Sequence, residues 1–172
     1  MTPTASSICR RFFLVVAFAT ATTHAVTAAE NTSAETKARM IQLVDKLETD
    51  PFTKDGKEIR GELLTWLTEA PDVSVTICPN MFGDIKKIKG NEATILVVQL
   101  MFSEAKFLLE HPDRSSDTLA VNVAGVEGVL RTYASMQTVK PKLAIREFDQ
   151  LAQLQASGQL AAKVEARVAE CR

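Results

Sequence analysis

The stretch that decides the fold is Ile95-Leu96-Val97-Val98-Gln99-Leu100-Met101-Phe102, which lies within the segment Asn91–Glu110. A helix drawn through it has apolar side chains on every side, which is typical of a helix buried on several faces. Gln99, Glu104 and Lys106 interrupt the segment and argue against a membrane span, which needs about 20 mostly apolar residues. We therefore expect a central, buried helix.

Helical periodicity continues on both sides of this centre, where apolar residues recur at spacings of three and four. The expected helices are one from a Thr32 or Ser33 cap to before Pro51, Lys57–Glu69, a short one after Pro79, one from a Ser115 or Ser116 cap through Met136, one from Pro141 to Gly158, and Gln159–Glu170. The pattern predicts an all-α fold, a single compact bundle of five or six helices around residues 93–109.

One segment departs from helical spacing. Asp72–Cys78 alternates apolar and polar residues with the period of two that is typical of a strand. Because no second strand pattern accompanies it, we expect an extended segment pressed onto the helices. A strand that pairs only in a dimer is the alternative, and the sequence leaves the oligomeric state open.

Three residues mark a possible ligand pocket between two helices. Gln99 lies near the middle of the central helix and needs a hydrogen-bond partner if it is buried. Gly125 and Gly128 each cost about 1 kcal/mol in a helix interior relative to alanine, and close approach to a neighbouring helix is the usual compensation. A small apolar ligand held against these glycines is the alternative interpretation.

Charged residues on these two helices are expected at the surface. Glu104 and Glu110 lie on one side of the central helix, as surface carboxylates commonly do. Glu127 and Arg131 are spaced i,i+4 and are expected to form an exposed pair worth a few tenths of a kcal/mol, about 0.2–0.5.

The N-terminal 29 residues have the pattern of a secretory signal peptide. Arg10 and Arg11 precede a short apolar run at 12–19, and small residues continue through Ala29. Cleavage is expected after Ala29, with Ala25 as the alternative. This divides the chain into a signal peptide at 1–29, a flexible leader at 30–35 and a helical domain at 36–172, with no membrane span in the mature chain.

The export route has two candidates. An ordinary secretory (Sec) route suits this signal, whereas Arg10-Arg11-Phe12-Phe13-Leu14 also resembles the core of a twin-arginine signal, which exports folded proteins. Both routes predict a periplasmic or secreted protein.

Removal of the signal leaves two cysteines, Cys78 and Cys171, separated by 93 positions. An even pair in an oxidising compartment is expected to form one disulfide. Two free thiols or an intermolecular bond are the alternatives. Cys78 acting as a nucleophile with His111 and Asp113 is an enzymatic alternative, and a zinc site built on the cysteines and His111 is another.

Composition excludes several functions. Residues 30–172 hold 18 basic and 21 acidic residues, a net charge of −3, whereas nucleic-acid binding demands a concentrated basic face. The chain contains no P-loop, HExxH, Gly-x-Ser-x-Gly, CxxC or glycine-rich dinucleotide motif. We therefore expect no nucleic-acid partner, no metal, no cofactor and no catalytic constellation.

Several short motifs carry a resemblance to a known group of proteins. They are Trp66-Leu67, Pro71–Cys78, the run Val126-Glu127-Gly128-Val129-Leu130-Arg131 with Tyr133, and the terminal cysteine. Over most of residues 35–172 the chain resembles a family of exported bacterial α-helical proteins with no assigned activity. The resemblance implies export and a helical fold, and it implies no catalytic residues.

These observations predict an exported binding or interaction module of the periplasm or cell envelope. Its partner is a protein or the envelope itself, and the sequence does not choose between them. A carrier of a small apolar ligand and an enzyme that uses Cys78 are the alternatives.

Overall fold

The structure, a computed structural model, describes residues 31–78, 80–83 and 90–171. This part of the chain forms α1 (Ala34–Thr49), α2 (Gly56–Glu69), α3 (Asn91–Glu110), α4 (Thr118–Val139), α5 (Arg146–Ala156) and α6 (Leu160–Glu170). A 3₁₀ turn at Pro112–Arg114 joins α3 to α4. The described ranges contain no strand, so the prediction of an all-α bundle is confirmed.

The bundle is built around α3 and α4, which form its most extensive helix contact. α1 lies against both of these helices, and α6 lies against α4 and α5. Two apolar clusters result. The α5–α6 core joins Cys78 and Phe82 to α3, α4, α5 and α6, and the α1–α2 core joins Val73 to α1, α2, the second half of α3 and Val121.

Cys78 and Cys171 form a disulfide that ties the end of α6 to the segment before α3, with their Cα atoms 5.7 Å apart. The segment leading to Cys78 has no strand pairing within the described residues, as expected. Its alternation is not perfect, because Val73 and Cys78 are buried whereas Ile77 is exposed. Strict alternation would place Val73 and Cys78 on opposite faces of the segment. The bond to Cys171 requires Cys78 to face inward, and Ile77 beside it therefore faces the solvent.

Side chains set the start of α1. Ser33 Oγ accepts a hydrogen bond from the Thr36 amide at 3.1 Å, so one of the two expected caps is confirmed. Thr32 is held by Asp72, because its amide and hydroxyl both donate to that carboxylate. The helix begins at Ala34, and the expected leader at 30–35 therefore extends two residues too far.

The starts of α4 and α5 also differ from the sequence prediction. Asp117, rather than a serine, caps α4 by accepting a hydrogen bond from the Ala120 amide at 3.0 Å. α5 begins at Arg146 rather than at Pro141, because the Ile145 amide donates to the hydroxyl group of Tyr133. A tertiary hydrogen bond thus replaces the first helical turn.

Some sequence predictions lie outside the described residues. These are the signal peptide at 1–29, the cleavage sites after Ala29 and Ala25, and most of the short helix after Pro79. Residues 80–83 form a turn in which Met81 and Phe82 are buried. No helix within the described ranges combines the length and apolar character that crossing a bilayer requires.

Candidate functional site

Four buried polar side chains lie where α1, α3 and α4 meet, and we call them the polar layer. They are Glu48 of α1 and Gln99, Ser103 and Glu104 of α3, each 5% exposed or less. Buried polar side chains are costly unless they are hydrogen-bonded, so a cluster of four is unusual inside a small bundle.

Hydrogen bonds connect three of these residues to the surface. Gln99 Nε2 lies 3.3 Å from Ser103 Oγ, which in turn donates to Glu48 Oε1 at 2.9 Å. Arg131 of α4 completes the chain with a forked contact, in which Nε donates to Glu48 Oε2 at 2.8 Å and Nη2 donates to Oε1 at 3.2 Å. Side chains from all three helices are thus connected.

Lys106 supplies a second cation to the same carboxylate. Its ammonium group is bonded to Asp45 and lies 3.8 Å from Glu48 Oε2. Burial acts to lower the pKa of Lys106, but the bond to Asp45 and the charge of Glu48 outweigh burial and raise it. Burial likewise acts to lower the pKa of Arg131, but the bond to Glu48 outweighs burial and raises it. Both cations therefore stay charged.

An open groove of about 520 Å³ exposes the outer end of this network, and we call it the α1–α4 groove. Its lining residues are Asp45, Glu48, Thr49, Lys106, Arg131, Ala134 and Ser135. The side chain of Arg131 is half exposed, whereas that of Glu48 is only 6% exposed. The groove thus presents a fixed guanidinium group above a buried carboxylate, and its two positive and two negative groups balance.

Gly125 and Gly128 of α4 face this region directly. A Cβ atom at Gly125 would lie 2.5 Å from Glu104 Cγ and 2.9 Å from Leu100 Cδ1. At Gly128 it would overlap the side chain of Ser103 and lie 2.6 Å from Glu48 Oε1. The expected close approach of these glycines to the central helix is therefore confirmed.

The same contacts bring together the three residues that the sequence analysis assigns to a ligand pocket. Gln99 and Gly128 both adjoin Ser103, and Gly125 adjoins Glu104, so the structure brings the three predicted residues to one contact. At both glycines, side chains of α3 occupy the adjoining space. The pocket itself remains a prediction.

Glu104 differs most from its sequence prediction, because it is fully buried rather than on the surface. Neither carboxylate oxygen has a hydrogen-bond partner in the described part of the chain, and the same holds for Gln99 Oε1. Burial raises the pKa of Glu104 to about 8. The group is therefore mostly neutral near pH 7.

Arg131 is a second correction, because its partner is Glu48 rather than Glu127. The partner lies 83 positions away, so helical spacing alone could not find it. The usable signal was the pair of glycines shortly before Arg131, which indicated that another helix comes close to this face of α4.

The residues of the enzymatic and zinc alternatives have other partners. While the disulfide is intact, Cys78 carries no thiolate that could attack a substrate. His111 is exposed at the end of α3, where its ring centroid lies 4.8 Å from that of Phe107. No cluster of three or more His, Cys, Asp or Glu residues suited to a metal ion occurs among the residues with described positions.

Comparison with protein-family models, curated proteins and solved structures gives no match for this chain. A functional assignment therefore depends on the chemistry of the polar layer and of the α1–α4 groove.

Proposed function

We propose that this protein is an exported, disulfide-linked helical module that binds a protein partner of the periplasm or cell envelope through the α1–α4 groove. The observation that carries the proposal is the Arg131–Glu48 pair. The forked contact at 2.8 and 3.2 Å fixes the guanidinium group while half of the arginine side chain stays exposed.

Export is supported by two independent features. The sequence at 10–29 has the charged, apolar and small-residue regions of a signal peptide. Disulfides such as Cys78–Cys171 persist in oxidising compartments and are rare in the reducing cytosol. Cleavage after Ala29 also leaves α1 whole, because that helix begins at Ala34.

The groove chemistry favours a protein partner over a polyanion. Its charges balance, so a nucleic acid or a strongly anionic surface gains little there. Asp45 is half exposed and Arg131 is held in position, so the groove offers one fixed negative and one fixed positive group side by side. A partner that presents a carboxylate to Arg131 and an amine or guanidinium to Asp45 is complementary, and preorganised side chains lower the entropy cost of binding.

The carrier alternative has less support from the contacts. A ligand between α3 and α4 would have to displace Ser103 and Glu104, which already fill the space beside Gly128 and Gly125. Closely packed interiors do not accept extra atoms without strain.

Export is tested by fractionating cells and sequencing the N terminus of the mature protein. We expect a periplasmic or secreted chain that begins at Glu30, or at Val26 if the alternative site is used. A cytoplasmic protein that retains Met1 would contradict the proposal. Replacing Arg10 and Arg11 by lysine separates the routes, because a twin-arginine signal loses export whereas an ordinary secretory signal does not.

Binding is tested with a photo-crosslinking amino acid at Ala134 in the groove and, as a control, at the exposed Thr65 of α2. We expect a discrete crosslinked partner from position 134 alone. The purified partner is then titrated against Asp45→Asn and against Asp113→Asn, which removes an exposed carboxylate elsewhere. Roughly tenfold weaker binding by Asp45→Asn alone, equivalent to about 1.4 kcal/mol, supports the groove. Equal affinities would refute it.

A further inference from the structure

Glu104 occupies the middle of the α3–α4 contact. Its side chain has no exposed surface, and its Cγ and Oε1 atoms lie 2.5 and 3.2 Å from the position that a Cβ atom would take at Gly125. The absence of a side chain at residue 125 is thus what makes room for the carboxyl group. A longer residue there would push α4 away from α3.

Nearby charges do not compensate this carboxyl group. In this part of the bundle, Lys106 of α3 and Arg131 of α4 interact with the carboxylates of Asp45 and Glu48 of α1, Glu110 of α3 and Glu127 of α4. The two cations among them are already bonded, Arg131 to Glu48 and Lys106 to Asp45. Among the described atoms, none donates a hydrogen bond to either oxygen of Glu104.

A charged carboxylate in this position would lack both water and a counter-ion. Burying such a group costs several kcal/mol. The whole free energy of unfolding of a domain is about 5–15 kcal/mol, so the two quantities are comparable. The group therefore either keeps its proton or reaches water by separating the helices that enclose it.

We propose that Glu104 is a proton-dependent latch of the α3–α4 contact: the two helices pack as observed while its carboxyl group is neutral, and loss of the proton loosens them. The latch goes beyond partner binding and does not depend on it. Because Ser103 links this contact to Glu48, loosening also disturbs the floor of the α1–α4 groove, and that consequence alone rests on the proposed function.

The direction of the pH dependence follows from linkage. Burial raises the pKa of Glu104 from its ordinary value of 4.5 to about 8. Below about pH 4.5 the carboxyl is protonated in the folded and the unfolded chain, so it favours neither. Between about 4.5 and 8 the unfolded chain releases the proton while the folded chain keeps it, and the folding equilibrium constant falls by about three orders of magnitude.

Other carboxylates act in the opposite direction at lower pH. Bonds to Lys46 and Thr53 lower the pKa of Asp55 to about 2, and bonds to Arg39 lower that of Glu62. These groups stabilise the folded chain while they are charged, and this contribution is lost as the pH falls through their folded-state pKa values. We therefore expect maximum stability near pH 5.

The test is urea unfolding of the wild-type protein, Glu104→Gln and Glu110→Gln at pH values from 5 to 9. Glutamine at residue 104 keeps the shape of the side chain but cannot ionise, and Glu110 is an exposed carboxylate on the same helix. We expect the wild-type and Glu110→Gln midpoints to fall between pH 5 and 8 and the Glu104→Gln midpoint to stay level. A Glu104→Gln midpoint that falls like that of the wild type would overturn the latch.

Two measurements on the wild-type protein keep the test decisive if Glu104→Gln does not fold. Carbon-13 NMR of the glutamate carboxyl groups should show one group that titrates near pH 8. Amide hydrogen exchange, corrected for its intrinsic pH dependence, should accelerate in α3 and α4 above that pH while α2 stays unchanged. A carboxyl set that titrates entirely near pH 4–5, or unchanged exchange after the high-pH titration, would refute the proposal.

Discussion

The contact of α4 with α5 and the contact of α4 with α3 bury polar groups in opposite ways. At the first, the hydroxyl group of Tyr133 donates to Asp149 Oδ1 at 2.7 Å and accepts from the Ile145 amide at 2.9 Å. At the second, neither oxygen of Glu104 has a partner within the described ranges. A fully paired polar group fixes one geometry, whereas an unpaired one makes its contact depend on protonation.

The surroundings of the two groups differ as well. Tyr133 lies in the α5–α6 core, where its ring centroid is 5.7 Å from that of Phe148. The same core contains Cys78 of the disulfide. Glu104 instead belongs to the polar layer, where noncovalent bonds join α1, α3 and α4. Both halves have an apolar core, but the α5–α6 half adds a covalent link, whereas the half that contains α1 adds the charged and small residues of the polar layer.

The largest expected effect comes from breaking the covalent link. Cys171→Ser opens a loop of 93 positions, and the chain-entropy model assigns a loop of this size about 4–5 kcal/mol. We expect the free energy of unfolding to fall by about 4 kcal/mol in a urea titration, since strain commonly offsets part of the gain.

Reduction of the wild-type protein should reproduce this loss without any substitution. Thiol titration of the denatured protein should show two free thiols from Cys78 and Cys171 only after reductant is added. A reduced protein as stable as the oxidised one would show that noncovalent packing holds the α5–α6 half.

Next in size is the removal of Glu48, which anchors the polar layer. Glu48→Ala leaves Arg131 and Ser103 without their shared acceptor and removes the carboxylate that lies 3.8 Å from the Lys106 ammonium group. Breaking a fully buried pair costs about 3–5 kcal/mol, and half-exposed Arg131 places this case near the lower end, at about 3 kcal/mol.

The chain supplies a matched control for this substitution. Arg39 and Glu62 form the same forked contact between α1 and α2, but both side chains are well exposed. Glu62→Ala is therefore expected to cost about 1 kcal/mol or less. If both variants lost the same free energy of unfolding in chemical denaturation, the burial of Glu48 would not strengthen its contact with Arg131.

A smaller effect is expected from filling the glycine contact. Gly128→Ala places a methyl group against Ser103 and Glu48, and overpacking of this kind costs about 1–3 kcal/mol. After the gain in helix propensity, we expect a net loss of about 2 kcal/mol in thermal or chemical unfolding.

Gly61 of α2 is the matched position, because its Cβ would have no described atom within 4 Å apart from those of its chain neighbours and of the backbone of its own helix. Gly61→Ala should stabilise the protein by about 0.5–1 kcal/mol through helix propensity alone. A stabilising Gly128→Ala would mean that α3 and α4 are not in close contact.

Apart from the control variants, the smallest effect is expected at the paired tyrosine. Tyr133→Phe keeps the ring but removes the hydroxyl group that joins Asp149 to the Ile145 amide. The loss of these two hydrogen bonds is expected to cost about 1–2 kcal/mol, with no change in the pH dependence between 5 and 8. If the stability of Tyr133→Phe instead no longer depended on pH, the contrast between the paired Tyr133 and the unpaired Glu104 would be wrong.

Periodicity predicted most of the architecture, because a buried apolar face is a local property of sequence. The central helix and the bounds of α2 and α6 follow from it closely. The start of α5 does not, since the hydroxyl group of Tyr133 takes the Ile145 amide that would otherwise belong to a helical turn. The cap of α4 was missed because Ser115, Ser116 and Asp117 are all good capping residues.

The polar layer could not be derived from local patterns. A glutamate in an apolar segment is by default a surface residue, and the burial of Glu104 depends on Gly125 of another helix. Likewise, the i,i+4 rule pairs Arg131 with Glu127, whereas the observed partner belongs to α1. Gly125 and Gly128 did indicate a close helix contact, but which side chains fill it is decided by tertiary structure.

The disulfide has a mechanical consequence. A pull applied at Cys171 passes across the sulfur bridge to Cys78 and from there along the segment towards α2. The loop between the two cysteines contains α3, α4, α5 and α6, and it is bypassed by the load. A force applied between Cys171 and the start of α1 would thus extend α1 and α2, whereas the four helices inside the loop stay out of the load path while the disulfide is intact.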